Sequence, residues 1–300
     1  MYEQISRNKW KSAALIVFFI AFIFLLVWFF EYVTGWGKGG LVLAVGVAMG
    51  MAAVGYYSSD KIVLAISRAR PASKDEYPYL YNVVEGLALA AGIPAPKCYV
   101  IDDTAPNAFA AGRKPETAVI CVTTGILAKL NRVELEGVIA HEMSHIKNYD
   151  VRLQTLVVVM AGIVALLSDW MLRSFMWGGG RRGGRRRGGD GAAGGVLVLV
   201  GLALAVLSPL IATIIQLAVS RKREFLADAS SAMLTRYPAG LASALRKISA
   251  DTEPLEAANK ATAHLYIVNP LKNLKGGSGV NRLFSTHPPI EERIAALEKM

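Results

Sequence analysis

His141, Glu142 and His145 stand in the run His141-Glu142-Met143-Ser144-His145, an HExxH. On an α-helix, residues four apart lie within about 40° of one another, so both imidazoles reach one ion from the same face. Glu142 projects beside them, toward a water it can deprotonate. A catalytic zinc site takes three protein ligands and keeps one position open, so the motif calls for another His, Glu or Asp elsewhere. Glu224, in Arg221-Lys222-Arg223-Glu224-Phe225-Leu226-Ala227-Asp228, is the leading candidate. Asp228 follows one turn later on the same face, where a carboxylate can receive the free N–H of a ligating imidazole. Taken alone, that stretch reads more simply as a basic juxtamembrane helix with a solvated Glu–Asp face.

These side chains need rigid elements to hold them. Asn131 is a plausible N-cap for the HExxH helix, with Val133, Leu135, Val138, Ile139, Met143 and Ile146 on its apolar side. Upstream, helical periodicity runs from Tyr79 to Ala91 and stops at Gly92. Lys97–Ile101, Ala108–Ala111 and Ala118–Thr123 are short β-prone runs separated by Asp102-Asp103, Pro106-Asn107 and Gly112–Pro115 turns, which predicts a small sheet. An amphipathic helix is expected from Ile290 to Met300.

Composition sets the surroundings. The 300 residues are 53% hydrophobic and 19% charged with a mean hydropathy of +0.38, well off the soluble average. The net charge of +10 raises nucleic acid or anionic lipid as partners, and the apolar content favours lipid. Cys98 and Cys121 form no CxxC, which excludes a disulfide framework, a zinc ribbon and an iron–sulfur site.

Ser12–Phe30 is uncharged and nearly spans a hydrocarbon core of about 30 Å at about 1.5 Å per residue. It exceeds a usual signal-peptide core and no A-x-A-like site follows, so it reads as a retained helix. Gly39–Ser59 completes a hairpin. Arg7, Lys9 and Lys11 before it, with Lys61, Arg68 and Arg70 after it, put both ends in the cytoplasm. Two further apolar stretches, 153–172 and 196–219, flank a Gly/Arg loop at 178–195; Asp169 shortens the first, leaving full spanning by either open. The expected organisation is a transmembrane hairpin (1–60), a first catalytic part with the HExxH helix (61–152), the two apolar segments (153–220), and a second catalytic part (221–300).

The sequence around both motifs, together with Pro106-Asn107-Ala108-Phe109-Ala110 and Phe284-Ser285-Thr286-His287-Pro288-Pro289, resembles the HtpX branch of the HtpX and Ste24 membrane proteases, which are gluzincins. The likeness covers nearly the whole chain; the arginine-rich loop is its main departure. It implies a mostly α membrane protein with a small β-sheet, a gluzincin-like cytosolic domain carried on the hairpin and two further apolar helices. His141, His145 and Glu224 would hold one Zn2+, Glu142 would be the catalytic base and Asp228 a supporting carboxylate. Asn107 and His287 are candidate donors to substrate or oxyanion, and His264 is read as structural. Asn107–Ala111 resembles the family's active-site edge strand, to which an extended peptide could add; otherwise it is an ordinary loop with a short strand.

The implied function is an endopeptidase of the cytoplasmic membrane acting on unfolded or damaged membrane proteins, in quality control and stress response. Its partners would be those substrates and the bilayer, with no nucleic acid. A Ste24-like processing protease is disfavoured by only four apolar segments, and a zinc-stabilised inactive scaffold has no need of Glu142. Because His145 and Glu224 must meet, the chain between them crosses the bilayer either twice or not at all.

Overall fold

The computed structural model describes residues 2–34, 42, 46, 49–50, 53–163, 221–258, 262–270 and 288–300. The loop at 178–195, the segment 196–219, most of 35–52 and His287 lie outside the described residues. The elements are α1 (Tyr2–Thr34), α2 (Ser59–Ile66), β1 (Arg70–Pro71), α3 (Pro78–Ala91), β2 (Lys97–Ile101), β3 (Ala108–Ala111), β4 (Val119–Thr123), α4 (Thr124–Lys129), α5 (Arg132–Lys147), α6 (Arg221–Thr235), α7 (Pro238–Ala250) and α8 (Ile290–Leu297). The chain is also helical through 53–57 and 150–163.

Local chemistry sets the boundaries. Helix α3 starts with Pro78 and ends at Gly92, whose φ of 68° is the left-handed conformation that glycine adopts without steric cost. Helix α5 opens with a capping box: the Asn131 side chain accepts from the Glu134 N–H, and the Glu134 carboxylate accepts from the Asn131 N–H. Glu134 is also held by Ser243 and Lys247 of α7, so the cap doubles as a link between helices.

The sheet has the order β1-β2-β4-β3. Strands β2 and β4 are parallel, and the other two pairings are antiparallel. Both faces are covered, which explains why β4 reads as an unbroken apolar run. Ile120 and Val122 join Ala108, Ala110, Leu80, Val84 and the α5 side chains in the main core. Val119 and Cys121 pack on the other side with Phe109, Val63, Leu64, Val158 and Tyr266. A third cluster joins Phe19 and Ile23 of α1 to Leu156, Val159 and Met160.

Helix α5 departs from the amphipathic expectation. Residues 137–146 are buried on every face, because α3, α6, α7 and β3 surround the helix. Val133, assigned to the apolar side by periodicity, is instead 43% exposed at the open first turn. Close approach of α7 depends on Gly137: a Cβ there would lie 2.7 Å from the Leu241 backbone nitrogen and 2.9 Å from its Cα. Gly137→Ala is therefore expected to lower stability by about 1–3 kcal/mol through overpacking, measurable as a fall in the denaturation midpoint of detergent-solubilised protein.

Of the membrane segments, α1 carries one stretch long and apolar enough to cross a bilayer, Ile5–Leu25. Among the described residues no second helix meets that criterion.

Candidate metal centre

Helix α5 presents His141 and His145 one turn apart, with ring centroids 4.8 Å apart and planes at 87°. Their Nε2 atoms approach to 3.2 Å. Helix α6 brings Glu224 against them: Oε2 lies 3.7 Å from His141 Nε2 and Oε1 lies 3.6 Å from His145 Nε2. One ligand atom from each of the three residues falls within 4.8 Å of the other two, although 79 and 83 positions of chain separate Glu224 from the two histidines. All three side chains are buried, as is Glu142.

Each imidazole is gripped from behind by a different carboxylate. His141 Nδ1 lies 2.9 Å from Asp228 Oδ1, and His145 Nδ1 lies 3.1 Å from Asp150 Oδ2. Each carboxylate is itself held. Arg293 of α8 donates to both Asp228 oxygens at 2.8 and 2.6 Å and to the Ile267 carbonyl at 3.1 Å. Asp150 Oδ1 accepts from Asn8 at 2.7 Å and from Arg223 at 3.3 Å. Asp228 lies one turn beyond Glu224 on α6. Asp150 and Arg293 carried no role in the sequence reading. Asp150 follows the end of α5, and only a turn through Tyr149, with φ of 60°, swings it back toward His145.

This geometry fits a metal ion. With both Nδ1–H groups directed at carboxylates, both Nε2 lone pairs face inward beside the Glu224 oxygens, an arrangement that repels itself unless a proton or a cation lies between. The buried set of two imidazoles and one carboxylate suits zinc.

The same crowding shifts pKa values. Burial opposes charge on His141, but the Asp228 and Glu224 carboxylates outweigh it and raise its pKa to about 9. Burial pushes the Glu142 carboxyl above its ordinary range, partly offset by the two histidines. Burial also acts to raise Asp228, yet Arg293 and His141 bring it below the ordinary carboxylate value. Because the His141 value is raised on folding, its contribution to the stability of metal-free protein is complete below about pH 6.5 and is lost as pH rises through about 9. Zinc must displace that proton, so loading stripped protein at pH 7.5 is expected to release about one proton from His141. Calorimetry in buffers of different ionisation enthalpy would measure it.

Strand β3 borders the centre, and its outer edge is covered. The Ile267 N–H donates to the Ala108 carbonyl at 3.0 Å. The Asn107 side chain donates to the Val268 carbonyl at 2.9 Å, its oxygen accepts from the Ala108 N–H, and the Val268 N–H lies 3.5 Å from that oxygen. Tyr266 stacks edge-on against Phe109, and the Ala110 N–H faces the Glu142 carboxylate. Asn107 thus holds backbone of its own chain, the bend at residues 266–268. His264 is buried, with Nε2 3.4 Å from the Gln154 carbonyl.

The family profile of peptidase family M48 matches residues 74–300. The chain belongs to peptidase family M48. It is 49% identical over its whole length to a protein of Dictyoglomus turgidum named Protease HtpX homolog, covering 94% of that protein. Relatives of the same name from Thermoanaerobacter pseudethanolicus (46% identical, 98% covered) and Listeria monocytogenes (45%, 100% covered) also match the full chain. It is thus an HtpX-type member of a metalloprotease family, and the family implies a metal that the three-residue cluster suits. Among solved structures, that of Saccharomyces mikatae Ste24p aligns with 90% of this chain and 66% of its own, at 19% identity and a TM-score of 0.42.

Proposed function

We propose that this M48 protein is a membrane-bound zinc endopeptidase in which His141, His145 and Glu224 hold the ion, Asp228 orients His141 and Glu142 is the general base. The observation that carries this reading is the convergence of three electron-pair donors on one buried point, with the buried Glu142 carboxyl in electrostatic reach of all three. Zinc, when bound, supplies a Lewis acid that polarises a peptide carbonyl and acidifies water. Glu142 accepts the proton from the attacking water and returns it to the leaving amine; burial that raises its pKa suits it to both halves of that transfer.

Substrate would enter as an extended strand along β3. The outward Ala108 carbonyl, now taken by the Ile267 N–H, is an edge group such a strand needs, and the Asn107 amide, which now reads the backbone of Val268, is shaped to read a substrate backbone in the same way. Residues 266–268 must yield first. Recognition through main-chain groups selects for unfolded chain rather than for a particular sequence, which favours damaged or misassembled membrane proteins as substrates. The basic residues around the apolar segments favour a multi-pass protein of the cytoplasmic membrane whose centre faces the cytosol.

Full-length protein purified in detergent should contain about one zinc per chain and cleave casein. A chelator should abolish cleavage and added zinc should restore it, while Glu224→Ala should lose both metal and activity. Unchanged cleavage by zinc-free protein would refute the proposal.

A further inference from the structure

Asn8 is polar, sits in the first helix among residues apolar enough to enter a bilayer, and is nonetheless only 3% exposed. Its side-chain amide has two hydrogens, and Nδ2 makes two close contacts: 2.8 Å to the Asn148 carbonyl at the end of α5 and 2.7 Å to Asp150 Oδ1. The other oxygen of that carboxylate faces His145 Nδ1. A continuous path of two hydrogen bonds, through Asp150, therefore leads from α1 to an imidazole of the candidate centre. The neighbouring contact strengthens the placement, since the Lys9 ammonium lies 4.6 Å from the centre of the Tyr149 ring.

The chemistry of each member fits a positioning role. Asp150 sits in a turn whose left-handed Tyr149 carries a steric cost, so its orientation has to be fixed from outside. The carboxylate needs donors on the oxygen that His145 does not use, because a buried carboxylate with an unsatisfied oxygen is costly. Asn8 supplies one of them and ties the same turn through the Asn148 carbonyl. A neutral amide adds a donor to this oxygen, which also accepts from the Arg223 guanidinium, without placing a second positive charge on the carboxylate that faces His145 Nδ1.

We propose that Asn8 is a positioning residue of the metal centre, acting through Asp150 to hold His145 in its metal-binding tautomer and orientation. The inference rests on the zinc peptidase reading, and it makes the first helix part of the centre as well as an anchor.

The test uses full-length protein in detergent, with zinc affinity measured by competition against a chromophoric chelator and the visible spectrum recorded with Co2+ in place of zinc. Outer partners of metal ligands contribute about 10–100-fold in affinity. Asp150→Asn should weaken zinc by that range, and Asn8→Ala by about tenfold, with an altered cobalt spectrum in both. In the Asp150→Asn background, Asn8→Ala should add less than about twofold, since it acts through that carboxylate. Phe19→Ala, which loosens α1 against residues 156–160 without touching Asp150, serves as the control for general destabilisation and should leave the cobalt spectrum unchanged.

Unchanged zinc affinity in Asn8→Ala would overturn the proposal. So would equal losses in Asn8→Ala and Phe19→Ala, or full additivity with Asp150→Asn. Should Asn8→Ala not fold, Asn8→Ser, which keeps one donor, takes its place under the same criteria. Failure of the wild type to bind zinc at all would instead overturn the underlying peptidase reading, so the two failures are separable.

Discussion

Glu142→Gln is expected to keep its zinc and to lose casein cleavage by about 10²–10⁴-fold in kcat/KM, the range that a positioned general base contributes. The amide preserves the size of the buried side chain and its place beside the Ala110 N–H, but it cannot accept a proton from water. The ligand set is untouched, so metal content measured by elemental analysis should stay near one per chain. That split between metal and activity is what separates a base from a ligand. It also tells the enzyme from a zinc-stabilised scaffold, for which neither protein would hydrolyse peptide.

The largest expected effect on stability comes from Arg293→Met. The guanidinium is fully buried and bonded to both oxygens of Asp228, itself fully buried. Removing one partner leaves an uncompensated buried carboxylate, a loss of about 3–5 kcal/mol. The Ile267 carbonyl also loses a donor, so the segment over β3 should loosen with it. The denaturation midpoint should fall sharply and zinc should bind less tightly, because Asp228 no longer fixes His141. Adding Asp228→Leu should recover part of the stability, since that carboxylate is then no longer stranded, and should recover none of the zinc affinity. A double variant as unstable as the single one would show that Arg293 stabilises by its packing and not through the ion pair.

Much of the framework was legible in the sequence because it is written locally. Gly92 ends α3 and Asn131 opens α5, both through the backbone chemistry those residue types favour, and the short β-prone runs between them form the strands. The three proposed ligands were legible for a related reason: HExxH and ExxxD each encode a helical face, and a zinc site with two histidines requires a third donor. What escaped, Asp228 apart, is what holds the ligands. Asp150 is five residues past His145, beyond the end of the helix, and its position depends on one left-handed residue that no periodicity marks. Arg293 and Asn8 lie 65 and 142 positions from the carboxylates they meet, and nothing in their neighbours announces it. Val133 failed in the opposite sense: an apolar residue at a core spacing faces outward because the helix is surrounded only from its second turn.

The two relays reach the imidazoles from opposite ends of the chain, Asn8 in the first helix and Arg293 in the last described one. A ribosome therefore finishes the HExxH helix long before it makes the residue that steadies His141. Until α8 emerges and docks, the growing polypeptide carries the recognisable motif with one ring still unbraced. The bracing of His141 is thus completed only when the last described helix has been made.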